Sequence, residues 1–209
     1  MSLKHLTIGA LVAVCTMVAP ATAQKNELTG MIGRTFISDQ GIKGALTVAD
    51  QTVHFGKGTT YEINYSRRVF DADLWSLYLE VPFVGNPDED IHSGTNTTPK
   101  QFSSLFLTPA ARLNAFPDQA VSPWISFGGG FGHFNSSSTL QFGAPDPAKG
   151  GTSNGVLQAG VGFDVKLIRN LRLRGEARDF WSGVPKLNVD TGKTRQHNIF
   201  VGGGVVWRF

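Results

Sequence analysis

Apolar and polar side chains alternate with a period of two along most of the chain. At the C-terminal end, Val201, Val205 and Trp207 fall on one face, while Asn198 and Arg208 fall on the other. Successive side chains of a β-strand point to opposite faces, so this spacing predicts a strand with one apolar face. The same alternation recurs at 27–36, 61–66, 75–83, 105–113, 123–134, 157–165 and 171–178. The pattern therefore predicts eight strands.

The register of the first predicted strand stays open. Arg34 falls on the same face as Leu28 and Ile32, so the two faces of this segment do not separate into an apolar and a polar one. The fifth segment is rich in glycine and contains Gly128 and Gly130. Glycine within a strand marks curvature or the close approach of a bulky neighbour, and we favour that interpretation over a phosphate-binding loop.

The links between these strands alternate in length. Short links lie at about 71–74, 115–122 and 168–170, and long polar links lie at about 37–58, 84–101, 135–154 and 182–196. In an up-and-down antiparallel sheet, this order places all long links at one end of the strands. Short periplasmic turns and four long extracellular loops are typical of outer-membrane barrels. Ten strands are the alternative, because residues 44–58 could form another membrane-spanning hairpin.

The polar face of the predicted strands carries charges of both signs. It holds Glu62, Glu80, Arg112, Asp164, Arg172, Arg174, Glu176 and Arg178. In a soluble barrel the polar face meets water, whereas in a membrane barrel the apolar face meets lipid. Opposite charges at matching heights can neutralise one another inside a narrow barrel. We therefore expect an all-β fold, an eight-stranded antiparallel transmembrane β-barrel, with a soluble β-barrel or sandwich as the alternative.

Aromatic residues concentrate towards both ends of the predicted strands. Near the short links lie Phe70, Trp75, Phe116, Trp124, Trp207 and Phe209. Near the long links lie Phe36, Tyr61, Phe83, Phe102, Phe134, Phe180 and Trp181. Membrane barrels carry aromatic girdles at both interfaces, so we expect these residues to face lipid.

The first 23 residues are typical of a secretory signal peptide. Lys4 supplies a positive charge, residues 6–18 form an apolar stretch, and Ala21-Thr22-Ala23 supplies a cleavage motif. We expect residues 1–23 to be removed and residues 24–209 to form the barrel domain. The one cysteine, Cys15, lies in the removed segment, which excludes disulfides and thiolate metal ligands from the mature chain.

Composition and charge exclude several classes of partner. Only 17% of the residues are charged, and 19 Lys and Arg residues against 16 Asp and Glu residues give a net charge of +3. The chain has no polybasic tract of the kind that binds nucleic acid. A nucleic-acid partner is therefore not expected.

The C-terminal sequence VGGGVVWRF ends in Phe209, with Trp207 two residues before it. This ending resembles the signal by which outer-membrane barrels are recognised for assembly. Together with the signal peptide and the eight alternating segments, this ending makes the chain similar to the small OmpA/OmpX/Opa-like outer-membrane β-barrel superfamily. The β-barrel domain of that superfamily is described as porin-like. The resemblance covers the whole mature chain. It implies a location in the cell outer membrane, contact with lipopolysaccharide, and biogenesis through periplasmic chaperones and the barrel assembly machinery.

The resemblance leaves the function open, because that superfamily includes adhesins, structural anchors, small channels and a few lipid-modifying enzymes. An eight-stranded barrel is about wide enough for its own side chains, so an open diffusion pore is not expected. We expect a non-enzymatic protein that presents its loops for interaction, adhesion or envelope integrity to an extracellular partner of unknown identity. A narrow channel or small-solute transporter is the first alternative, and a lipid A-modifying enzyme is the second.

The main candidate site is a charge network in the lumen, which we interpret as a packed polar plug. Its predicted members are Glu62, Glu80, Arg112, Arg172, Arg174, Glu176 and Arg178. Basic residues of the long links are candidate contacts to lipopolysaccharide phosphates. They are Lys43, Lys57, Lys100, Lys149, Lys186, Lys193 and Arg195.

No catalytic residue, cofactor or metal site is expected. His92 and His133 lie near serines, but neither stretch has an H-x-S spacing, since position 135 is asparagine. The acidic run at 88–90 and all histidines of the mature chain map to the loop end, without an HxH or HExxH spacing that would support a metal site.

Overall fold

The computed structural model describes residues 25–44, 52–56, 58–94, 97–146, 150–185 and 187–209. The expected signal peptide lies outside these ranges, as do Lys57, Lys149 and Lys186. In the described ranges the chain is all-β, and no helix there has the length and hydropathy needed to cross a membrane. The strands are β1 (Asn26–Ile37), β2 (Gln40–Gly41), β3 (Thr52–Phe55), β4 (Thr59–Asp71), β5 (Trp75–His92), β6 (Gln101–Leu107), β7 (Ala110–Ala115), β8 (Val121–Ser136), β9 (Gly151–Ile168), β10 (Leu171–Gly183) and β11 (Arg195–Arg208).

The strand pairings are antiparallel and follow a circuit. β1 pairs with β4 on one side and with β11 on the other. From β4 the pairing continues to β5, and from β11 it runs through β10 and β9 to β8. β6 and β7 both pair with β5 and with β8. The predicted fourth strand, 105–113, is therefore present as two pieces, interrupted at Pro109, which has no amide hydrogen to donate.

Two short strands lie in the first long link. β2 pairs with β3, and β3 pairs with the far end of β5 through His54 and His92. They contain two and four residues, whereas a membrane-spanning strand needs about 9–11 residues. The described part of this link therefore does not form the spanning hairpin that ten strands would require.

Several strands are longer than the alternation predicts. β5 continues beyond Phe83 to His92, and its exposed side chains in that extension include Asp88 and Asp90. The alternation of apolar and polar residues ends where the outward face of the strand becomes polar. The backbone hydrogen bonding to the neighbouring strand continues beyond that point. The long links are correspondingly shorter than expected.

The structure defines the register of β1. Leu28, Ile32 and Arg34 are exposed, whereas Glu27 and Thr29 are buried. Arg34 is therefore a charged exception on an otherwise apolar exposed face. Its long side chain allows the guanidinium to reach towards water from such a face.

The expected aromatic girdles are present only in part. Exposed aromatic residues at the two ends of the strands are Phe36, Phe70, Trp75, Tyr61, Phe83, Phe116, Trp181, Trp207 and Phe209. The prediction was wrong for Trp124, Phe102, Phe134 and Phe180, which are buried on the other face of the sheet. These four side chains lie on the same face of the sheet as the charged residues. The face of the strand on which a residue lies therefore determines its burial here, whatever its distance from the strand end.

The glycine-rich part of β8 lies against the interruption between β6 and β7. A Cβ atom at Gly130 would overlap the carbonyl oxygen of Leu107, and one at Gly128 would overlap that of Pro109. Glycine thus permits the close backbone approach expected from the sequence. We call the buried face of the sheet the interior.

Candidate functional site in the interior

The interior near the short links is organised around the carboxylate of Glu27. Arg112 donates a hydrogen bond to this carboxylate, and Arg208 Nε donates another at 2.7 Å. Arg174 Nη2 lies 3.5 Å from the same group and also binds Asp164, with Nε and Nη2 donating at 2.7 and 2.9 Å. Three guanidinium groups therefore converge on one fully buried carboxylate.

A second cluster surrounds Arg178. Its Nη1 donates to Glu80 Oε1 at 2.7 Å, and its Nε and Nη2 donate to Glu176 at 2.5 and 3.2 Å. Glu62 lies 3.6 Å from Arg178 Nε, and neither of its oxygens has a hydrogen-bond partner. Arg112 connects the two clusters, since its Nη1 lies 3.5 Å from Glu80 Oε2.

Aromatic rings lie close to the arginines of both clusters. The guanidinium groups of Arg112, Arg174 and Arg178 lie 5.2–5.6 Å from the ring centroid of Trp124. Arg112 also lies 4.5 Å from the ring of Tyr78, whose hydroxyl accepts hydrogen bonds from Arg68 and Arg208. The face of an aromatic ring attracts a nearby cation, so Trp124 adds to the stabilisation of these buried guanidinium groups.

The structure brings six of the seven predicted network residues together. They are Glu62, Glu80, Arg112, Arg174, Glu176 and Arg178. Arg172 is also buried, but its Nη2 donates to the carbonyl oxygen of Pro117 in the turn between β7 and β8, at 2.6 Å. The predicted network lacked Glu27, Asp164 and Arg208, of which Asp164 had been assigned to the polar face only. The alternation of β11 could have indicated Arg208, whereas Glu27 was hidden by the open register of β1.

The interior changes character towards the long links. There Phe106 stacks on Phe180 with ring centroids 4.6 Å apart, and Phe134 meets Phe106 edge-on at 5.7 Å. Val84 and Phe200 belong to the same buried cluster. An apolar layer, which the predicted polar plug did not include, therefore lies above the ionic one.

The candidate lipopolysaccharide contacts are dispersed. Lys43 and Lys193 lie in the first and last long links, which meet where the Lys43 amide donates to the Asp190 carbonyl at 2.8 Å. Arg195 lies with its guanidinium 5.2 Å over the ring of Trp181. Lys100 is exposed beside β6, and Lys57, Lys149 and Lys186 lie outside the described residues.

His92 and His133 were considered as catalytic bases because serines lie near them in the sequence, and their neighbours in the structure are on other strands. His133 Nδ1 lies 2.9 Å from Ser153 Oγ on the neighbouring strand. His92 pairs with His54 across β5 and β3. No group of three or more histidine, cysteine or acidic side chains with metal-binding geometry occurs in the ranges that the structure describes.

We expect Arg178→Gln to lower the free energy of unfolding by about 3–5 kcal/mol, because it leaves Glu62, Glu80 and Glu176 buried without their shared cation. Urea unfolding of the purified protein in detergent, followed by circular dichroism, measures the change. Arg169→Gln is the matched control, since Arg169 is exposed in the turn between β9 and β10. Equal stability of the two variants would show that the ionic network does not support the fold.

The structure resembles solved outer-membrane proteins at low sequence identity. Neisserial surface protein A (NspA) superposes with a TM-score of 0.57 and 12% identity, covering 88% of this chain and 97% of that chain. The outer membrane protein OprG from Pseudomonas aeruginosa superposes with a TM-score of 0.50 and 14% identity, covering 89% and 97%. No family model and no curated protein matches the sequence. The chain therefore shares the fold of these small outer-membrane β-barrel proteins.

Proposed function

We propose that the chain is a closed eight-stranded β-barrel of the bacterial outer membrane whose interior is plugged and whose long loops face the cell exterior. The pairing of β1 with β11 supports closure. In β5 the outward face is apolar over the nine residues from Trp75 to Phe83, close to the length of about 9–11 residues that crosses a bilayer. Exposed aromatic residues bound this band at both ends, as lipid interfaces favour.

The observation that carries the proposal is the sorting of charge to the interior. There, buried arginines of the described chain lie among the buried carboxylates of Glu27, Glu62, Glu80, Asp164 and Glu176. An arrangement with charges inside and leucine, valine and phenylalanine outside is unfavourable in water and favourable in lipid. The soluble alternative requires the opposite sorting.

The same interior supports a non-conducting resting state. An ion would have to pass the linked guanidinium and carboxylate groups and then the stacked rings of Phe106 and Phe180. The first layer is neutralised by direct ion pairs, and the stacked rings of the second present apolar surface, so both layers oppose the passage of an ion. The proposed role is therefore exercised at the loops, in binding an extracellular partner or maintaining the envelope, and not by transport or catalysis.

The loop end also supports the proposed contact with lipopolysaccharide. Arg195 over Trp181 places a cation beside an exposed ring at the loop end of the apolar band, and Lys43, Lys100 and Lys193 lie further into the long links. Guanidinium and ammonium groups at this height would meet the phosphates of the outer leaflet.

The C-terminus is the proposed contact for the barrel assembly machinery. Trp207 and Phe209 are exposed, with ring centroids 4.9 Å apart. The backbone of Phe209 exchanges two hydrogen bonds with Asn26.

Planar-bilayer recording tests the plugged state. We expect no conductance steps from the purified protein under conditions in which a general porin gives regular steps, because the ion-paired layer and the phenylalanine layer both lie in the interior. A faster-migrating band in unheated SDS samples than in boiled ones verifies that the sample is folded. Regular steps from folded protein would instead establish the narrow-channel alternative.

Cysteine labelling on intact cells tests the orientation. The mature region has no cysteine of its own, so Lys193→Cys in the last long loop and Asp118→Cys in a short turn can be compared directly. We expect a membrane-impermeant maleimide to label position 193, and to label position 118 only after the cells are lysed. Labelling of position 118 alone on intact cells would invert the proposed orientation.

A further inference from the structure

A groove opens on the outward face of the sheet at the loop end. It has a volume of about 460 Å³ and lies across β4, β5, β6 and β8. This size is within the range of about 300–1,000 Å³ that is usual for ligand sites. Its walls include Tyr61, Ile63 and Phe83, which are exposed side chains of the outward face. The groove is therefore separate from the charged interior.

The groove passes over Gly85, which has no side chain to fill it. Gly85 lies opposite Tyr61 on β4 and opposite Leu105 on β6, and Leu105 lies opposite His133 on β8. These four positions form one row across the outward face, with a gap at Gly85. A Cβ atom at Gly85 would have one neighbour within 4 Å, Leu105 Cδ1 at 3.6 Å. The space over Gly85 is therefore open, and a larger residue can fill it without displacing the backbone.

The polarity of the groove changes along its length. Ile63 and Phe83 pair across β4 and β5 and form its apolar end, at the edge of the apolar outward face of β5. Ser103 and Asn135 pair across β6 and β8 and line its polar end. A lipid molecule has the same order of polarity, from its acyl chain to its headgroup. The groove therefore matches a lipid that lies along the strands.

The polar end extends towards the long links. The groove reaches Asn86 and Pro87, where the pairing of β5 with β6 shifts register in a bulge between Asn86 and Glu89. Beyond the bulge, the outward face of β5 carries acidic residues instead of apolar ones. The groove therefore crosses the boundary between the apolar outward surface and the loops, where the headgroups of the bilayer are expected.

The polar end offers uncharged hydrogen-bonding groups. Within the described chain, the groove is lined by no acidic side chain, lysine or arginine. The side chains of Ser103 and Asn135 make no hydrogen bond to the described residues, whereas His133 Nδ1 lies 2.9 Å from Ser153 Oγ, which orients the ring. Hydroxyl, amide and imidazole groups both donate and accept hydrogen bonds. They match the hydroxyl and amide groups of an acylated sugar better than an isolated charge.

We propose that this groove binds one acyl chain of the lipid A part of lipopolysaccharide, with the sugar headgroup at Ser103, His133 and Asn135. The inference rests on the proposed function, because the loop end meets lipopolysaccharide only in the outer leaflet. On a flat outward surface an acyl chain has protein on one side. In the groove, Tyr61 and Leu105 flank the chain while Gly85 lies beneath it, so the chain gains van der Waals contacts that bulk lipid does not replace.

Native mass spectrometry of the protein, released from detergent after incubation with purified lipid A, tests the site. We expect the wild type to retain one lipid A molecule. Gly85→Leu fills the open space and should lower the retained fraction by about tenfold. Gly203→Leu is the matched control, because Gly203 is an exposed glycine of β11 away from the groove and its Cβ would meet one atom, the Arg174 carbonyl oxygen, at 3.7 Å. This control should retain lipid A as the wild type does.

A second comparison tests the polar end. The double variant Ser103→Ala and Asn135→Ala leaves the apolar end intact and should retain less lipid A than the wild type. Phosphatidylethanolamine lacks the sugar, so it should compete poorly with lipid A on the wild type. Equal retention of the two lipids would overturn the assignment to lipid A.

Two further results would overturn the site itself. The first is equal lipid A retention in the wild type and in folded Gly85→Leu, which would show that lipid A binds elsewhere. The second is a protein dimer that is lost in Gly85→Leu, which would assign the groove to a second copy of the chain. Failure of the proposed function gives a different result, a protein that stays soluble without detergent and shows no band shift between unheated and boiled SDS samples. The unheated SDS band otherwise confirms the fold of each variant.

Discussion

The pairing of buried arginines with buried carboxylates is the interaction on which the rest of the structure depends. Glu27 alone is approached by Arg112, Arg174 and Arg208, which come from β7, β10 and β11. Removing one partner from such a set leaves a charge buried without compensation, and this is far more costly than the loss of an exposed pair. The network therefore connects strands that are distant in sequence and makes their relative positions interdependent.

The inverted sorting of polarity follows from this network. Because the charges satisfy one another inside, the outward positions are available for leucine, valine, isoleucine and phenylalanine. Those side chains cover the band between the two sets of exposed aromatic residues. Above the ionic layer, Phe106 and Phe180 belong to a buried cluster of apolar side chains. Two chemically different layers thus occupy the same interior, one of ion pairs and one of aromatic rings.

Much of this fold is predictable from the period-two alternation, because inward and outward positions follow directly from the pleat of a strand. The inward position of Arg174 and Glu176 and the outward position of Leu173 are readable in this way. The alternation fails for β1, where the exposed Arg34 obscures the inward position of Glu27. For Phe134 and Phe180 the parity indicates the interior correctly, whereas their height near the loops points wrongly to a lipid-facing girdle.

The tertiary contacts are not readable from the sequence. Nothing in the spacing indicates that Gly58 meets Asn86 and Glu89 across the bulge of β5, since that contact depends on how the first long link returns to the sheet. Which carboxylate each arginine binds likewise depends on the twist and the register of the strands. Sequence patterns report which face a side chain occupies, whereas its partners depend on the assembled sheet.

The most direct test of the central claim is the quenching of single tryptophans by brominated lipids. The chain has four tryptophans, and each variant keeps one of them and replaces the other three with phenylalanine. In vesicles with bromine on the acyl chains near the headgroups, Trp75, Trp181 and Trp207 should be strongly quenched. Trp124, enclosed by three arginines, should keep its fluorescence. Quenching of Trp124 as strong as that of Trp207, or no quenching of any tryptophan, would contradict a lipid-facing apolar surface around a charged interior.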